Sequence, residues 1–243
     1  ASMAVVFVAS PFLGALSDRA SRRMPFLAVS TLLCVVFTSL LGSGSVGGSL
    51  VLFAAANIAY QAGLQYYDSL LPEVSGPRNR GWIGGVGIAV GYLGSFLGLV
   101  AGRLILEGSG GLGQEALSAR YALLFRVTAL LFLAFALPCF FLVSERAVRR
   151  RPRAAFDPRG AFRRVVRTFR SGRRYPGLIR FLVGRAFYTD AINTLISFMG
   201  IYVTAEMGFS TGQAEGVLMA AIVFAVLGGL FWGRVTDRIG PKR

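Results

Sequence analysis

The chain has 243 residues, 54% of them hydrophobic and 15% charged, with a formal net charge of +15 and a mean hydropathy of +0.61. An ordinary soluble domain cannot hide that much apolar surface, so the composition points to a bilayer. A basic excess of this size would speak for nucleic acid in a soluble protein, but here the basic residues sit between apolar stretches. Orientation in a membrane accounts for them, and no nucleic-acid partner is expected.

Seven apolar windows of about helix-spanning length follow one another: Ala1 to Leu16, Pro25 to Leu41, Leu50 to Tyr67, Trp82 to Leu106, Tyr121 to Val143, Phe181 to Val203 and Val217 to Trp232. The first is cut short, because residue 1 already lies inside it; the expectation is a slice of a longer protein, with no signal peptide. Most of the 26 Lys and Arg residues fall in the stretches around 17–24, 68–81, 144–180 and 233–243, while Ser43 to Ser49 holds none. The positive-inside rule then places those four basic stretches in the cytoplasm and runs the first window from outside to inside.

One pattern occurs at both ends of the chain. Gly14, Asp18, Arg19, Arg22 and Arg23 follow the first apolar window, and Gly233, Asp237, Arg238, Gly240 and Lys242 follow the last, with the glycine and the Asp-Arg pair at equal offsets. A long repeat period with several helices between the copies is how a membrane protein built from two related halves looks in sequence. Between them, Ser144 to Arg180 forms the longest polar stretch. There Asp157 and Pro158 suit a helix start, and Phe162, Val165, Val166 and Phe169 share one helical face among arginines. The expectation is an interfacial helix over 155–174 that binds anionic lipid, at about 1 kcal/mol per basic residue.

Hydrocarbon does not solvate polar side chains, so those inside the windows should face protein or an aqueous cavity. Asn57, Gln61 and Gln65 recur every four residues, followed by Asp68, which stacks them on one helical face. Asp190, Asn193, Thr194 and Ser197 form a second such face. An ionised Asp at mid-span costs on the order of 3 kcal/mol on insertion scales, so Asp190 needs a partner, a proton or a cavity. Gly84, Gly87, Gly91, Gly94, Gly98 and Gly102 form a ridge that admits a neighbouring helix backbone. Arg126 is expected to snorkel outward. Cys34 and Cys139 lie in apolar windows as small hydrophobes, with no disulfide implied.

Chemistry has few places to reside. The chain has no His, no G-x-S-x-G and no paired-Cys spacing, so no enzyme, metal centre or cofactor is expected. Lys242 is the sole lysine, which leaves no Walker A motif and no lysine within a window for a Schiff base. Gly42-x-Gly44-x-x-Gly47 and Gly108-x-Gly110-x-x-Gly113 follow no strand and are discarded as dinucleotide fingerprints.

The two Asp-Arg stretches resemble the signature loop of the major facilitator superfamily, G-x-x-x-D-R-x-G-R-R, which lies between helices 2 and 3 and returns, weaker, between helices 8 and 9. Ser21 stands where the first copy would have its second glycine. The resemblance implies an all-α integral membrane protein with a partial major facilitator fold, seven transmembrane helices of twelve. Residues 1–143 would hold helices 2 to 6, 144–180 the basic cytoplasmic linker, and 181–243 helices 7 and 8. Tyr67-Asp68, Pro72-Glu73, Gly87, Gly91, Tyr92, Gly94 and the Tyr188 to Thr194 stretch are similar to the group that includes autophagy-related vacuolar effluxers. Asn57 stands in the region where proton-driven drug exporters carry an arginine, and the Gly-Pro antiporter signature is missing, which weakens multidrug antiport.

The implied function is alternating access for a small polar solute, amino acid-like or sugar-like, coupled to a proton or sodium gradient. Gly14, Asp18, Arg19, Arg22, Arg23, Gly233, Asp237 and Arg238 would latch one end state; Asn57, Gln61, Gln65, Asp190, Asn193, Thr194 and Ser197 would line the cavity. A seven-helix receptor or scaffold is the rival, resting on helix count. Arginine in place of almost all lysine points to a GC-rich bacterial genome and hence an inner-membrane location.

Overall fold

The computed structural model describes residues 23–76, 78–145 and 177–240. Among them run six α-helices: α1 Met24–Ser39, α2 Val46–Val74, α3 Arg80–Leu106, α4 Gln114–Leu142, α5 Leu178–Ala205 and α6 Thr211–Ile239, with a 3₁₀ turn Ser109–Gly111 before α4. Every helix overlaps an apolar window, and α2, α4 and α6 extend well beyond theirs, because the polar ends continue helical past the hydrocarbon boundary. At 29 residues, α2 and α4 are each about 43 Å long, more than a bilayer core needs. Each carries a proline in its last turns, Pro72 and Pro138, which removes one N–H from the i→i−4 ladder. Four helices are long and apolar enough to cross a membrane, namely α2, α3, α4 and α6 from Gly212. With 16 residues, α1 is apolar but shorter. The 28 residues of α5 include Arg180, Arg185 and Asp190. The first window and the 155–174 helix lie outside the described residues.

The chain divides into two compact units, one made of Ala1–Arg153 with Ile222–Arg243 and the other of Ala154–Ala221. In the first, α1 packs against α2 and α4, α3 packs against α4, and α2 touches α3 lightly. The contacts are made by small side chains: Ala56, Ala59, Ala62 and Gly63 on α2, Ala122 and Ala129 on α4, and Ser30 and Thr31 on α1 are buried. Apolar lipid gives helices no hydrophobic reason to associate, so close fit must supply the attraction. Ser30 shows how a polar group is accommodated there: its hydroxyl donates to Phe26 O and Leu27 O, both at 2.9 Å, within its own helix. Leu27, Ala62, Tyr66 and Leu70 form the largest buried cluster, with Phe26, Cys139 and Phe140 packed on it. Large apolar side chains point outward instead, Phe141 at 81% exposure and Phe224 at 73%, as lipid-facing positions require.

In the second unit, α5 turns through Glu206–Ser210 into α6. Ser210 and Gln213 satisfy each other's ends there: the Ser210 amide donates to Gln213 Oε1 at 2.9 Å and the Gln213 amide to Ser210 Oγ at 3.3 Å. This reciprocal pair is a capping box.

Closest of all is the seam between α3 and the last turns of α6. A Cβ on Gly81 would lie 2.7 Å from Gly233 O, and one on Gly233 2.7 Å from Gly81 O. On Gly85 it would run into Gly229 O, whereas Gly229 meets Gly85 O and Ile88 at ordinary contact distance. The sequence ridge of Gly84 to Gly102 behaves differently from expectation. Side chains fill its notches, Leu71 at Gly84, the Tyr67 hydroxyl at Gly87, Phe135 at Gly94 and Leu124 at Gly102, and Gly91 and Gly98 face open space. Backbone meets backbone one residue over, at Gly81 and Gly85.

Arg23 ties three helix ends into a node. Its guanidinium donates to Ser69 O at 2.7 Å and lies 3.9 Å from Glu73. Its backbone N–H donates to Glu145 Oε1, and the Met24 N–H donates to Glu145 Oε2 at 2.9 Å. Glu145, just past α4, thereby caps α1, whose own N-cap side chain makes no such bond. At the opposite ends, Arg120 of α4 donates to Ile105 O at 3.0 Å and Glu107 O at 2.7 Å, satisfying carbonyls where α3 stops.

Alanine at Gly85 is expected to lower the unfolding midpoint in detergent, by the equivalent of about 1–3 kcal/mol of overpacking. Alanine at Gly91 should leave it unchanged or raise it slightly, since helix propensity favours alanine by about 1 kcal/mol. Glu145→Ala should cost about 1 kcal/mol and speed hydrogen exchange of the Arg23 and Met24 amides, while leaving the amides at the start of α2 unaffected.

Candidate functional site

The second Asp-Arg copy sits in the last turn of α6. Asp237 there aims both carboxylate oxygens at the start of α3, accepting the Gly81 N–H and the Trp82 N–H, each at 2.7 Å. The first amides of a helix have no partner inside it and carry the positive end of the helix dipole, so an ionised carboxylate is the strongest local acceptor for them. Asn79, the residue at the N-cap position of α3, makes no side-chain capping bond, and Asp237 does that work from 155 residues away. The approach depends on Gly233 and Gly81, whose missing side chains bring the two backbones together.

Arg234, one turn before Asp237, places its guanidinium carbon 3.8 Å from the centroid of the Trp82 ring. Arg238 is exposed. Gly240, at φ +87°, ends α6 in the left-handed conformation that glycine adopts without strain, its N–H bonded to Thr236 O at 2.9 Å. Of the first copy, Arg23 is described and belongs to the node with Glu73, Ser69 and Glu145. Gly14, Asp18, Arg19 and Arg22 lie outside the described residues, as does Lys242.

The two polar faces expected to line a cavity sit on helices in different units. On α2, Asn57, Gln61 and Gln65 are half-buried and Asp68 is exposed. Among the described residues the Asn57 side-chain oxygen is buried with no hydrogen-bond donor, an arrangement that costs free energy until a donor arrives. Around this face, Tyr60 meets Phe132 of α4 with ring centroids 6.2 Å apart, and the Tyr67 hydroxyl reaches the Gly87 notch of α3. On α5, Asp190, Asn193 and Thr194 are exposed; the helix includes Ser197, whose side chain is outside the described set. Arg126 is exposed on α4, in keeping with an outward-pointing role.

Sequence reasoning missed Glu145, Trp82, Arg234 and Arg120. Glu145 is flanked by a basic stretch that reads as linker, and nothing in its neighbourhood indicates a helix start 121 residues earlier. Trp82 stands at the edge of an apolar window, where an aromatic is unremarkable. The usable signal is the spacing of Arg234 and Asp237, three apart on one helical face.

Residues 77–242 match the family described as vacuole effluxer Atg22 like. An uncharacterized protein of Aquifex aeolicus (strain VF5) is 26% identical over 246 residues, covering 100% of this chain and 56% of its own length. The uncharacterized MFS-type transporter YxiO of Bacillus subtilis (strain 168) is 23% identical over 195 residues, covering 79% of this chain and 45% of its own length. The chain thus spans about half the length of these curated relatives. No solved structure matches it. With its all-helical architecture, its membrane-length helices and a family match over most of its residues, the chain belongs to the vacuole effluxer Atg22-like family of major-facilitator-related membrane proteins.

Proposed function

We propose that the whole protein is a secondary transporter that carries a small polar solute across the cell membrane by alternating access. The observation that carries this is the contact of Asp237 with the α3 amides: an acid from the second repeat copy holds the start of a helix in the first half of the chain. A bond of that kind, made between two halves at one face of the membrane, stabilises the conformation in which that face is shut and must break when it opens. Asp237 and, by repetition, Asp18 act as the latches, with Gly14, Arg19, Arg22, Arg23, Gly233 and Arg238 supporting them. The basic loops favour the cytoplasmic side of a bacterial membrane for this face.

Asn57, Gln61, Gln65, Asp190, Asn193, Thr194 and Ser197 line the pathway. The buried, donorless Asn57 oxygen favours a solute with N–H or O–H groups, such as an amino acid or a sugar. Asp190 carries the coupling proton, in keeping with the cost of leaving an ionised carboxylate within a span. The domain division at 144–180, the lipid-binding 155–174 helix and a sodium-coupled variant of the cycle belong to the same proposal. A relative named as an MFS-type transporter and a family named for efflux support it. A receptor or scaffold role has no observation of its own.

The test is uptake of amino acids and sugars into proteoliposomes holding the full-length protein. Wild type should accumulate at least one of them against its gradient when a proton gradient is imposed, and Asp190→Asn should exchange that solute without accumulating it. Accumulation by Asp190→Asn would remove the coupling role. Asp237→Ala deletes a charge-assisted cap of about 1–2 kcal/mol, so it should shift the ratio of the two end states roughly 5- to 30-fold, measurable by accessibility labelling on both faces of the membrane.

A further inference from the structure

We propose that Trp82 and Arg234 form a second clasp on the α3–α6 seam, one that fixes the rotation of α3 about its own axis and thereby positions its amides for Asp237. The proposal rests on the alternating-access reading above and adds two positioning residues that the repeat motif does not contain.

The geometry separates two tasks. Asp237 holds α3 along its axis, through the Gly81 and Trp82 N–H groups at 2.7 Å. A carboxylate facing a helix end can trade one amide for the next as the helix turns, since several point the same way. The Trp82 side chain leaves the helix sideways, so a hold on its ring removes that freedom. Arg234 supplies the hold, its guanidinium carbon over the ring at 3.8 Å from the centroid, and tryptophan is the best of the aromatic rings for a cation–π contact. Rotation matters here because only one azimuth presents Gly81 and Gly85 together to Gly229 and Gly233; any other drives a side chain into the seam. Arg238, four residues on, has the same charge as Arg234 and disfavours the alternative of the two arginines lying side by side.

Gly229 offers a reporter, because among the four seam glycines it is the one whose Cβ makes ordinary contacts, with Gly85 O at 3.4 Å and Ile88 Cγ2 at 3.5 Å. Full-length protein carrying Gly229→Cys, with Cys34, Cys139 and any other cysteine replaced, is labelled in membranes with a permeant maleimide. Arg234→Gln and Trp82→Leu should each raise the labelling rate about tenfold, and the double variant should add little to either, as expected for partners in one contact. Arg234→Lys and Trp82→Phe, which keep a cation and a ring, should stay within about threefold of the parent.

If Asp237→Ala speeds labelling while Arg234→Gln and Trp82→Leu do not, the clasp is overturned and the latch stands. If none of the three changes it, the latch falls as well. Additive effects of Arg234→Gln and Trp82→Leu would also overturn the clasp. A second measurement covers failure of Gly229→Cys to fold: with Trp82 the sole tryptophan, its emission should shift on Arg234→Gln and hold on Arg78→Gln. Equal spectra for all three proteins would overturn the clasp.

Discussion

Helix ends are the structural problem this protein has to solve. Inside each helix the backbone groups pair with one another, but the first amides and last carbonyls do not, and near a bilayer water is a limited remedy. The described part of the chain answers with charged side chains brought from elsewhere: Glu145 on α1, Asp237 on α3, Arg23 on the Ser69 carbonyl of α2, and Arg120 on the carbonyls that end α3. Each contact satisfies a backbone group and fixes one helix against another. With seams made of alanine, glycine and serine, which contribute close fit and little else, these polar ties set the register of the bundle.

Their placement also separates ties within the first half of the chain from those that join α3 to α6. Glu145 and Arg23 join elements within the first half of the chain, and no rearrangement between halves needs to disturb them. Asp237, Arg234 and the glycine seam connect α3 with the end of α6 through a few residues. A contact confined to one end of two helices is suited to opening at that end while the remainder of each helix keeps its neighbours.

Much of this was legible from residues. Apolar runs of about 17 to 25 residues announce spans because the bilayer fixes their length, and all six described helices fall on expected windows. Their ends ran longer than the apolar windows: Gln114 to Arg120 is helical although polar, since helix propensity and the Arg120 tie continue past the hydrocarbon. Asp237 stood out through the repetition of Gly233 and Asp237 with Gly14 and Asp18. Its receptor, the start of α3, did not, and neither did Glu145. Periodicity reports neighbours on one helix, whereas these contacts join residues more than 120 apart. The glycine ridge shows the same limit. Spacing identified a face rich in small residues on α3, but the partner that selects Gly81 and Gly85 in place of Gly91 and Gly98 lies on another helix.

The helix heads that carry side-chain caps obtain them by two different means. At the head of α2, a neighbour in sequence serves: Ser45 accepts the Gly48 amide at 3.2 Å; within the second unit, Ser210 with Gln213 closes the head of α6 in the same local way. Helices α1 and α3 wait for Glu145 and Asp237, 122 and 156 residues farther along the chain. At ribosomal speeds of about 5–20 residues per second, the head of α3 therefore remains uncapped for roughly 8–30 s after it is made. During that interval its amides depend on the wet lipid headgroup zone, so the head of α2 matures as soon as it is made while that of α3 is completed only when the end of α6 has emerged.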